Sequence, residues 1–218
     1  MKLLHQKSGM IVFKILMILM GSVISAYGIT LALYAGFGGA TLAVLWQGVS
    51  HTFGISIGLA SFLVALVMIA FVLFYDIRQI HVGTVLYQVV YSAFVDLFAD
   101  SHRYSAHPAV NFCIMLAGIA VFAVGTGVYA SADLGRGSYE ALTFALAEKN
   151  HRQVKFVRMA LDAAMVIAGV CLGGKFGFCT VATVLLSGPI IQRTAGTMKK
   201  LLRRWAGTEN GEERQEKI

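Results

Sequence analysis

The chain has 218 residues, of which 57% are hydrophobic and 13% are charged, and its mean hydropathy is +0.72. A soluble domain carries about 25% charged residues, so this composition excludes an ordinary soluble protein, and the high apolar content excludes a disordered chain. The class that remains is an integral membrane protein.

Six apolar segments are predicted to span the membrane as helices, because a spanning helix needs roughly 20 predominantly apolar residues. In chain order they cover residues 15–35, 55–75, 82–98, 111–131, 156–174 and 178–192. Two further apolar segments, residues 39–53 and 137–149, are too short for an ordinary crossing, and each follows a glycine-rich break. Segments of this length are typical of re-entrant or interfacial helices. If both crossed the membrane there would be eight spans, and the sequence leaves six and eight open.

The positive charges predict the orientation of the bundle. The net charge is +7, and the basic residues lie mainly at the two ends and in one loop. With a cytoplasmic N-terminus and an even number of spans, sixteen Lys and Arg fall inside and only Arg103 and Lys175 fall outside. Cytoplasmic loops are enriched in these residues. We therefore expect a multi-pass protein of the cytoplasmic membrane with both termini in the cytoplasm, and no nucleic-acid binding.

The last segment, residues 196–218, differs from the apolar core. Basic residues surround Leu201, Leu202 and Trp205, a pattern that suits the anionic inner leaflet. Beyond Thr208 the residues are polar, and a disordered cytoplasmic tail is predicted.

The three cysteines show no metal-binding spacing. They are Cys113, Cys171 and Cys179, all in apolar stretches. They are interpreted as small packing residues, with a Cys171–Cys179 disulfide as the alternative.

The sequence also contains a weak internal repeat. Thr84 precedes Thr180 by 96 residues, and a series of positions precedes its matches by 97: Gly21, Gly28, Gly38 and Leu45 match Gly118, Gly125, Gly135 and Leu142. The pattern predicts two membrane repeats, residues 1–98 and 111–195. With three spans each they have inverted topology, which is typical of secondary transporters, and the matching short segments indicate the binding site.

Several small-residue motifs follow one another in an order that resembles a known family. The first half contains Gly28 to Ser50, then Gly54, Ser56, Gly58, Gly83-Thr84 and Asp96; the second contains Leu134 to Leu142, Val157 to Asp162, Leu172 to Thr180 and Gly188-Pro189. Over nearly the whole chain this resembles the bacterial YczE/YyaS/YitT-like multi-pass membrane proteins. The resemblance implies a helical fold and a membrane location, and it supplies no defined activity.

The chain departs from the pattern of that family at three places. The resemblance implies Pro-Trp-Asp where this chain has Thr41-Leu42-Ala43, and Pro-Arg-Asp where it has Ser138-Tyr139-Glu140. It also implies Gly-x-Gly-Thr where residues 177–180 read Gly-Phe-Cys-Thr. The first half thus has alanine at the acidic position and the second half keeps Glu140, so a role that needs two carboxylates is in doubt.

Charged residues inside the membrane are the first candidates for a binding site, because they are costly to insert. Asp162 lies about 10 Å beyond Lys155 along the fifth span. Arg158 precedes it by four residues and is within pairing distance on the same helix face. The pair is interpreted either as a solute or proton site or as an ion pair that locks the helix in the bundle.

The starts of the two short helices are further candidates. Ser138 and Thr41 are predicted to be their N-caps, and Glu140 in the first turn interacts favourably with the helix dipole, an explanation that competes with a binding role. If both helices dip inward, their free N–H groups offer sites for an anion. The loops before them contribute glycines to the candidate site: Gly38, Gly39, Gly135 and Gly137.

The third span contributes the remaining candidates. Thr84, Gln88 and Ser92 are spaced by four residues and form one polar stripe, which suits a helix contact or a cavity wall. Asp96 lies near the outer end of the span, close to the membrane interface.

These observations predict an all-α polytopic bundle with about six spans, two short re-entrant or interfacial helices and an internal duplication. The predicted function is a small-solute permease, or secondary transporter, in contact with the lipid bilayer. Its solute is unknown, with an anion as one option, and a homo-oligomer is possible. The alternative is a non-transporting membrane module that binds or regulates a partner protein. No catalytic site, metal site or cofactor is expected.

Overall fold

The computed structural model describes residues 2–215, and it describes side chains from residue 9 to residue 204. Within residues 2–215 the chain is helical and contains no strand. The helices are α1 (Lys2–Leu33), α2 (Thr41–Phe53), α3 (Ile57–Tyr75), α4 (Val82–Phe98), α5 (Pro108–Ser131), α6 (Ser138–Lys149), α7 (Val154–Cys171) and α8 (Phe178–Gln215), with a 3-10 turn at Ile77–Gln79.

The all-α helical prediction is confirmed, and each predicted segment corresponds to one helix. The third predicted span and α4 have the same bounds, and the two short segments correspond to α2 and α6. The largest difference is at α8, which continues as helix to Gln215 where a separate turn and a disordered tail were predicted. Residues 195–204 are mostly strong helix formers such as Ala, Met, Lys, Leu and Arg, which explains why the helix does not end at Gln192.

Three helices among the described residues are long and apolar enough to cross a membrane. They are Gly9–Leu33, Ile57–Tyr75 and Pro108–Ser131, and α4 is a shorter apolar helix. Large apolar side chains also point outward, including Phe74 at 92% exposure, as expected for a surface that faces lipid. The protein is therefore an integral membrane protein. The number of six spans and the duplication remain predictions.

The connection between α2 and α3 shows how local sequence ends one helix and begins the next. Gly54 has φ +64°, a left-handed conformation that glycine adopts without strain and that commonly ends helices. Two residues later the Ser56 hydroxyl accepts a hydrogen bond from the Leu59 N–H and caps α3.

Helices α1 and α5 cross at glycines that bring their backbones into contact. A Cβ atom on Gly28 would lie 2.7 Å from the Gly118 carbonyl oxygen, and one on Gly21 would lie 2.8 Å from the Gly125 oxygen. Small residues allow this close approach in membrane helices. Because the earlier glycine of each helix meets the later glycine of the other, the two helices run antiparallel.

The remaining helices are arranged around the α1–α5 pair. Helix α4 packs on α1, and α8 packs on α5. The short helix α2 packs on α7, and the short helix α6 packs on α3. Helix α3 also packs on α4, whereas α7 makes no comparable contact with α8 in the described part of the chain. We call the contact between α3 and α4 the α3–α4 seam. The second half of the chain, in its described part, has no comparable seam between α7 and α8.

The bundle has two ends, which we call the distal end and the proximal end. The distal end contains the loops that precede α3 (residues 54–56), follow α4 (residues 99–107) and follow α7 (residues 172–177). The proximal end contains the turn Ile77–Gln79 and the loop of residues 150–153, which connects α6 to α7.

A histidine in the distal loop links that loop to α1. The Thr30 hydroxyl lies within hydrogen-bond distance of the carbonyl oxygens of Ala26 and Tyr27, at 2.9 and 3.0 Å, and it is hydrogen-bonded to the His102 Nε2 at 2.8 Å. Burial lowers the pKa of His102, because desolvation disfavours the charged imidazolium.

This contact predicts a stability that depends on pH. A histidine with a folded pKa below its unfolded value of about 6.5 favours the folded state above that pH, and this contribution is lost as the pH falls through the folded pKa. The melting temperature of the purified protein should therefore fall between pH 7.5 and pH 5. His102→Gln should make the decrease smaller, while His107→Gln, an exposed residue of the same loop, should leave it unchanged. An identical pH dependence in both variants would contradict the assignment.

Candidate functional site

A cavity of about 670 Å³ is bordered by the starts of both short helices, and it is lined by residues of all eight helices. The first turn of α2 contributes Thr41 and Leu42, and the first turn of α6 contributes Ser138 to Glu140. Ligand pockets in proteins have volumes of roughly 300–1,000 Å³. The cavity is therefore large enough for a small organic molecule.

Both short helices begin at the cavity without a side-chain cap. The N-cap residues are Ala40 in α2 and Gly137 in α6, and neither has a capping hydrogen bond from a side chain. The predicted caps, Thr41 and Ser138, are instead the first residues inside the helices. The Ser138 hydroxyl donates to the side-chain oxygen of Gln88 at 3.3 Å. Uncapped N-termini present N–H groups and a positive dipole end, which favour an anion.

Two threonines hold the loops that lead into the short helices. The Thr84 hydroxyl donates to the Arg136 carbonyl oxygen at 2.6 Å, and the Thr180 hydroxyl donates to the Gly39 carbonyl oxygen at 2.5 Å. These bonds position the starts of α6 and α2.

The backbone of the same loops makes a second pair of bonds. The Gly83 N–H donates to the Leu134 oxygen at 3.1 Å, and the Cys179 N–H donates to the Phe37 oxygen at 2.9 Å. Gly38 and Gly135 have φ +88° and +139°, which a residue with a side chain rarely adopts. The candidate glycines 38, 39 and 135 thus shape the loops.

The predicted ion pair between Arg158 and Asp162 is absent among the described salt bridges, and this expectation is corrected. The Asp162 carboxylate accepts a 2.6 Å hydrogen bond from the Tyr139 hydroxyl. The Arg158 guanidinium lies 5.5 Å from the centre of the same ring. Tyr139 reaches between them from α6, because its hydroxyl can satisfy the carboxylate while its ring faces the cation. Arg158 and Asp162 both line the cavity.

Glu140 also lines the cavity, and its carboxylate folds back against Gly137. It is the third residue of α6, the position from which a glutamate reaches toward the N-cap in a capping box. The matching position in α2 is Ala43, which is fully buried at the cavity.

The polar stripe on α4 is buried and hydrogen-bonded. The Gln88 amide donates to the Ser92 hydroxyl at 2.9 Å, and Ser92 lies 2.8 Å from the Ser61 hydroxyl of α3. Gln88 also lines the cavity. The stripe therefore combines the two roles that the sequence left open, a helix contact and a cavity wall.

Asp96 lies outside the cavity, at the distal seam between α3 and α4. Its carboxylate accepts a hydrogen bond from the Ser56 hydroxyl at 2.5 Å and from the Gly58 N–H at 2.6 Å. Such charge-assisted bonds are stronger than neutral ones, so Asp96 holds the start of α3 against the end of α4.

A second, basic cavity of about 520 Å³ lies at the proximal end and shares wall residues with the first, including Arg158, Glu140 and Gln192. We call it the vestibule. The two cavities together contain five basic residues (Arg78, Arg136, Lys155, Arg158 and Lys199) and three acidic ones (Asp133, Glu140 and Asp162). One pair is neutralised, since Lys199 lies 3.3 Å from the Asp133 carboxylate.

Gln79 organises the rim of the vestibule. Its amide nitrogen donates to the carboxylates of Asp76 and Glu148, each at 3.0 Å, and its oxygen accepts from Arg136 at 2.6 Å. The bond from Gln79 lowers the pKa of the Asp76 carboxyl below its ordinary value. This network joins the turn after α3 to α6 and fixes Arg136 at the rim.

The aromatic wall of the cavity was not singled out in the sequence. Trp46, Tyr87, Tyr91 and Tyr139 all line it. Tyr87 and Tyr91 are four residues apart, a spacing that places both on one face of α4, and this is the signal that could have indicated the wall. Lys155 was also not counted among the site residues.

The cysteines take no part in the site. Cys113, Cys171 and Cys179 are free thiols, and Cys179 is buried. The alternative of a Cys171–Cys179 disulfide is wrong for this structure.

The fold and the cavity define a helical integral membrane protein with an open, solute-sized cavity among its helices. Residues 12–195 match the model of a family of unknown function, DUF6198, and the chain belongs to that family. The family resemblance indicated by the sequence is confirmed by a relative. The chain is 25% identical over 177 residues to the uncharacterized membrane protein YczE of Bacillus subtilis strain 168, covering 79% of this chain and 80% of that protein. No solved structure gives a significant match.

Proposed function

We propose that the protein is a permease for small organic anions and not an enzyme. The observation that carries the proposal is the cavity itself, which is bordered by the starts of α2 and α6, neither of which has a side-chain cap hydrogen bond. Discontinuous helices whose N-termini point at an anionic group are a feature of secondary transporters.

An anion is favoured by the charges of the cavity and vestibule. Basic residues outnumber acidic ones by five to three in the two cavities together, and the excess lies in the vestibule, since the larger cavity has two of each. Asp162 accepts a hydrogen bond from Tyr139, and Arg158 has no carboxylate partner among the described residues. The N-terminus of α2 adds positive potential, whereas that of α6 is countered by the Glu140 carboxylate. The apolar walls of the cavity have a low dielectric constant, which strengthens the electric field of these charges.

Two inverted repeats are supported by bonds that recur at matching positions. The hydrogen bond from Thr84 to Arg136 has its counterpart in the hydrogen bond from Thr180 to Gly39. The two donors are 96 residues apart in the sequence, and the two acceptors are 97 residues apart. The antiparallel crossing of α1 and α5 is the geometry that a twofold axis in the membrane plane would produce. A contact between matching positions supports such an axis, since the Ser25 hydroxyl donates to the Phe122 carbonyl oxygen, 97 residues later in the chain, at 3.4 Å.

We propose an alternating-access mechanism from the one helix contact in which the two halves of the chain differ: α3 packs on α4, whereas α7 does not pack comparably on α8 in the described part of the chain. Gly58, Ser61, Ser92 and Asp96 form the closed α3–α4 seam. Their repeat matches in α7 and α8 are Lys155, Arg158, Gly188 and Gln192, which line the open cavity instead. We propose that the structure is open at the proximal end, and that the second state closes α7 on α8 while α3 separates from α4.

The proposed topology places the proximal end in the cytoplasm. The basic vestibule residues lie there, and cytoplasmic loops are enriched in Lys and Arg. The proposed location is the cytoplasmic membrane with both termini inside.

Transport is tested with Arg158→Gln in proteoliposomes that contain the purified protein. The wild-type protein should take up at least one of a panel of radiolabelled organic anions. Arg158→Gln should lower the uptake about 10- to 100-fold, since a hydrogen bond to a charged group contributes about 1.5–3 kcal/mol. Arg103→Gln, an exposed residue of the distal loop, is the matched control and should transport normally.

The outcome separates the two functional classes. Absence of flux for every anion, in protein that remains folded, would overturn the permease proposal. It would favour a membrane module that binds or regulates a partner protein.

A further inference from the structure

Helices α7 and α8 border a gap in the wall of the larger cavity. Both helices line this cavity, yet in the described part of the chain they do not pack on one another as α3 and α4 do. Among the residues of α7, Gly169 alone is buried, and it lies near the distal end, where α7 packs on α2. Met159 of α7 and Val184 of α8 line the cavity and are 58% and 53% exposed. The gap therefore leads sideways from the cavity to the outer surface of the bundle.

The outer surface on both sides of the gap is apolar. Phe156 lies three residues before Met159 on the same side of α7 and is 61% exposed, and Leu185, which follows Val184, is 67% exposed. Exposed apolar surface of this kind marks contact with a membrane. The gap thus opens toward the hydrocarbon of the bilayer, and lipids are the molecules next to it.

The vestibule borders the proximal end of the gap and carries an excess of positive charge. Arg158 of α7 and Gly188 of α8 line both the larger cavity and the vestibule. Lys199 and Asp133 in the vestibule are paired. The vestibule residues that remain charged are three arginines and one glutamate, namely Arg78, Arg136, Arg158 and Glu140.

Arg136 is held in place at the rim with most of its donors available. Its guanidinium donates to the Gln79 side-chain oxygen at 2.6 Å and lies 3.7 Å from the centre of the Phe144 ring. The hydrogen bond uses one of the five N–H donors of an arginine. Guanidinium groups match the oxygens of a phosphate in geometry and charge, so the vestibule suits a phosphate-containing group.

We propose that the vestibule and the gap bind one anionic phospholipid of the proximal leaflet. Its negatively charged phosphodiester group lies among Arg78, Arg136 and Arg158. One of its acyl chains passes between α7 and α8 into the cavity, toward Trp46. Basic pockets between membrane helices are known sites for the headgroups of anionic lipids. This inference goes beyond the proposed function, since it assigns an occupant from the bilayer and does not require transport.

The charges beside the gap favour a lipid over a second copy of the chain. A twofold contact at this face would bring the same residues of both copies together, and Lys155 and Arg158, which are exposed there, would repel their counterparts. The same residues attract a lipid phosphate. While the acyl chain occupies the gap, α7 cannot close on α8, so the bound lipid holds the proximal end open.

Brominated lipids test the site, because bromine on an acyl chain quenches tryptophan fluorescence only at close contact. The chain has two tryptophans, so Trp205→Phe leaves Trp46 as the reporter, and Trp46 is 8% exposed and lines the cavity. The full-length protein is reconstituted in vesicles that mix phosphatidylglycerol and phosphatidylcholine with identical acyl chains. One series carries the bromine on phosphatidylglycerol, and the other carries it on phosphatidylcholine.

We expect phosphatidylglycerol to reach half-maximal quenching of Trp46 at an about tenfold lower mole fraction than phosphatidylcholine, the ratio that one charge-assisted hydrogen bond provides. Arg78→Gln and Arg136→Gln, which line the vestibule and not the larger cavity, should each reduce this preference. Arg103→Gln, an exposed residue of the distal loop, is the charge control and should retain it.

Gly188→Phe tests the path of the acyl chain. A Cβ atom on Gly188 meets nothing within 4 Å, so the added ring can enter the gap without displacing a helix, and it should remove most of the quenching by phosphatidylglycerol. Gly196→Phe is the matched control. Gly196 lies in the same helix with equally open surroundings and lines neither cavity, so this variant should be quenched like the wild type.

Three results would overturn the inference. They are no quenching of Trp46 in either series, equal quenching by the two lipids, and unchanged quenching in Gly188→Phe. Absence of quenching in a dimer that Gly188→Phe dissociates would assign the gap to a second copy instead. Because none of these measurements requires flux, quenching without uptake in proteoliposomes would refute the permease and retain the lipid site. Uptake of organic anions without quenching would do the reverse.

Discussion

Gly28→Val is expected to prevent stable folding of the protein. A Cβ atom at this position would lie 2.7 Å from the Gly118 oxygen and would overlap the backbone of Phe122. Backbone atoms of a helix cannot move aside as the end of a side chain can, so α1 and α5 must separate. Overpacking a core by a few methyl groups costs about 1–3 kcal/mol, and a clash with the central helix pair should exceed this range.

The measurement is size-exclusion chromatography and thermal melting of the variant in detergent. We expect aggregated protein or a melting temperature lower by at least about 10 °C, given that 1 kcal/mol corresponds to about 2–4 °C in a chain of this size. The control is Gly196→Ala, because a Cβ on this exposed residue of α8 meets nothing within 4 Å. That variant should be as stable as the wild type or more stable. A normal melting temperature for Gly28→Val would contradict the close crossing.

Linking α7 to α8 at the proximal end should abolish transport. In the proposed repeat, Gln153 and Gln192 correspond to Ser56 and Asp96, which are joined by a 2.5 Å hydrogen bond at the distal seam. Cysteines at 153 and 192, in a background without native cysteines, should form a disulfide only when α7 closes on α8. Oxidation should then reduce uptake to background, more than tenfold, and a reductant should restore it.

The matched control is the cysteine pair at 56 and 96. Its seam is already closed in this structure, so the disulfide should form at once in the absence of solute and should also block uptake, by holding the distal end shut. If the 153–192 disulfide formed without any change in uptake, the two seams would not alternate. If it never formed in protein that transports, the proposed second state would be wrong.

The sequence located the elements well because each depends on local composition. The apolar run of residues 82–98 has the length and hydropathy of one helix, and the structure has α4 at the same residues. Four of the glycines spaced by 97 residues lie at the α1–α5 crossing (Gly21, Gly28, Gly118 and Gly125), where small residues allow a close approach. The site residues were harder, because a cavity contains side chains from distant segments.

Two local expectations failed for a tertiary reason. Thr41 and Ser138 are good N-cap residues by type, yet Ala40 and Gly137 occupy the caps, because the loops before the helices are held by Thr180 and Thr84 from other helices. Arg158 and Asp162 are correctly spaced for an ion pair on one helix, but Tyr139 from α6 binds the carboxylate. The spacing of residues along one helix does not reveal a side chain from another helix that binds the same group.

The sequence by itself determined that this is a helical membrane protein, where its helices lie and which family it belongs to. These properties follow from hydropathy, charge and the order of small residues, which are properties of the chain. Only the tertiary structure decided that both short helices start at one cavity, that a row of aromatic rings forms part of its wall, and that α3 packs on α4 whereas α7 makes no comparable contact with α8 in the described part of the chain. Those properties depend on distances between residues that are far apart in the chain, and packing sets such distances.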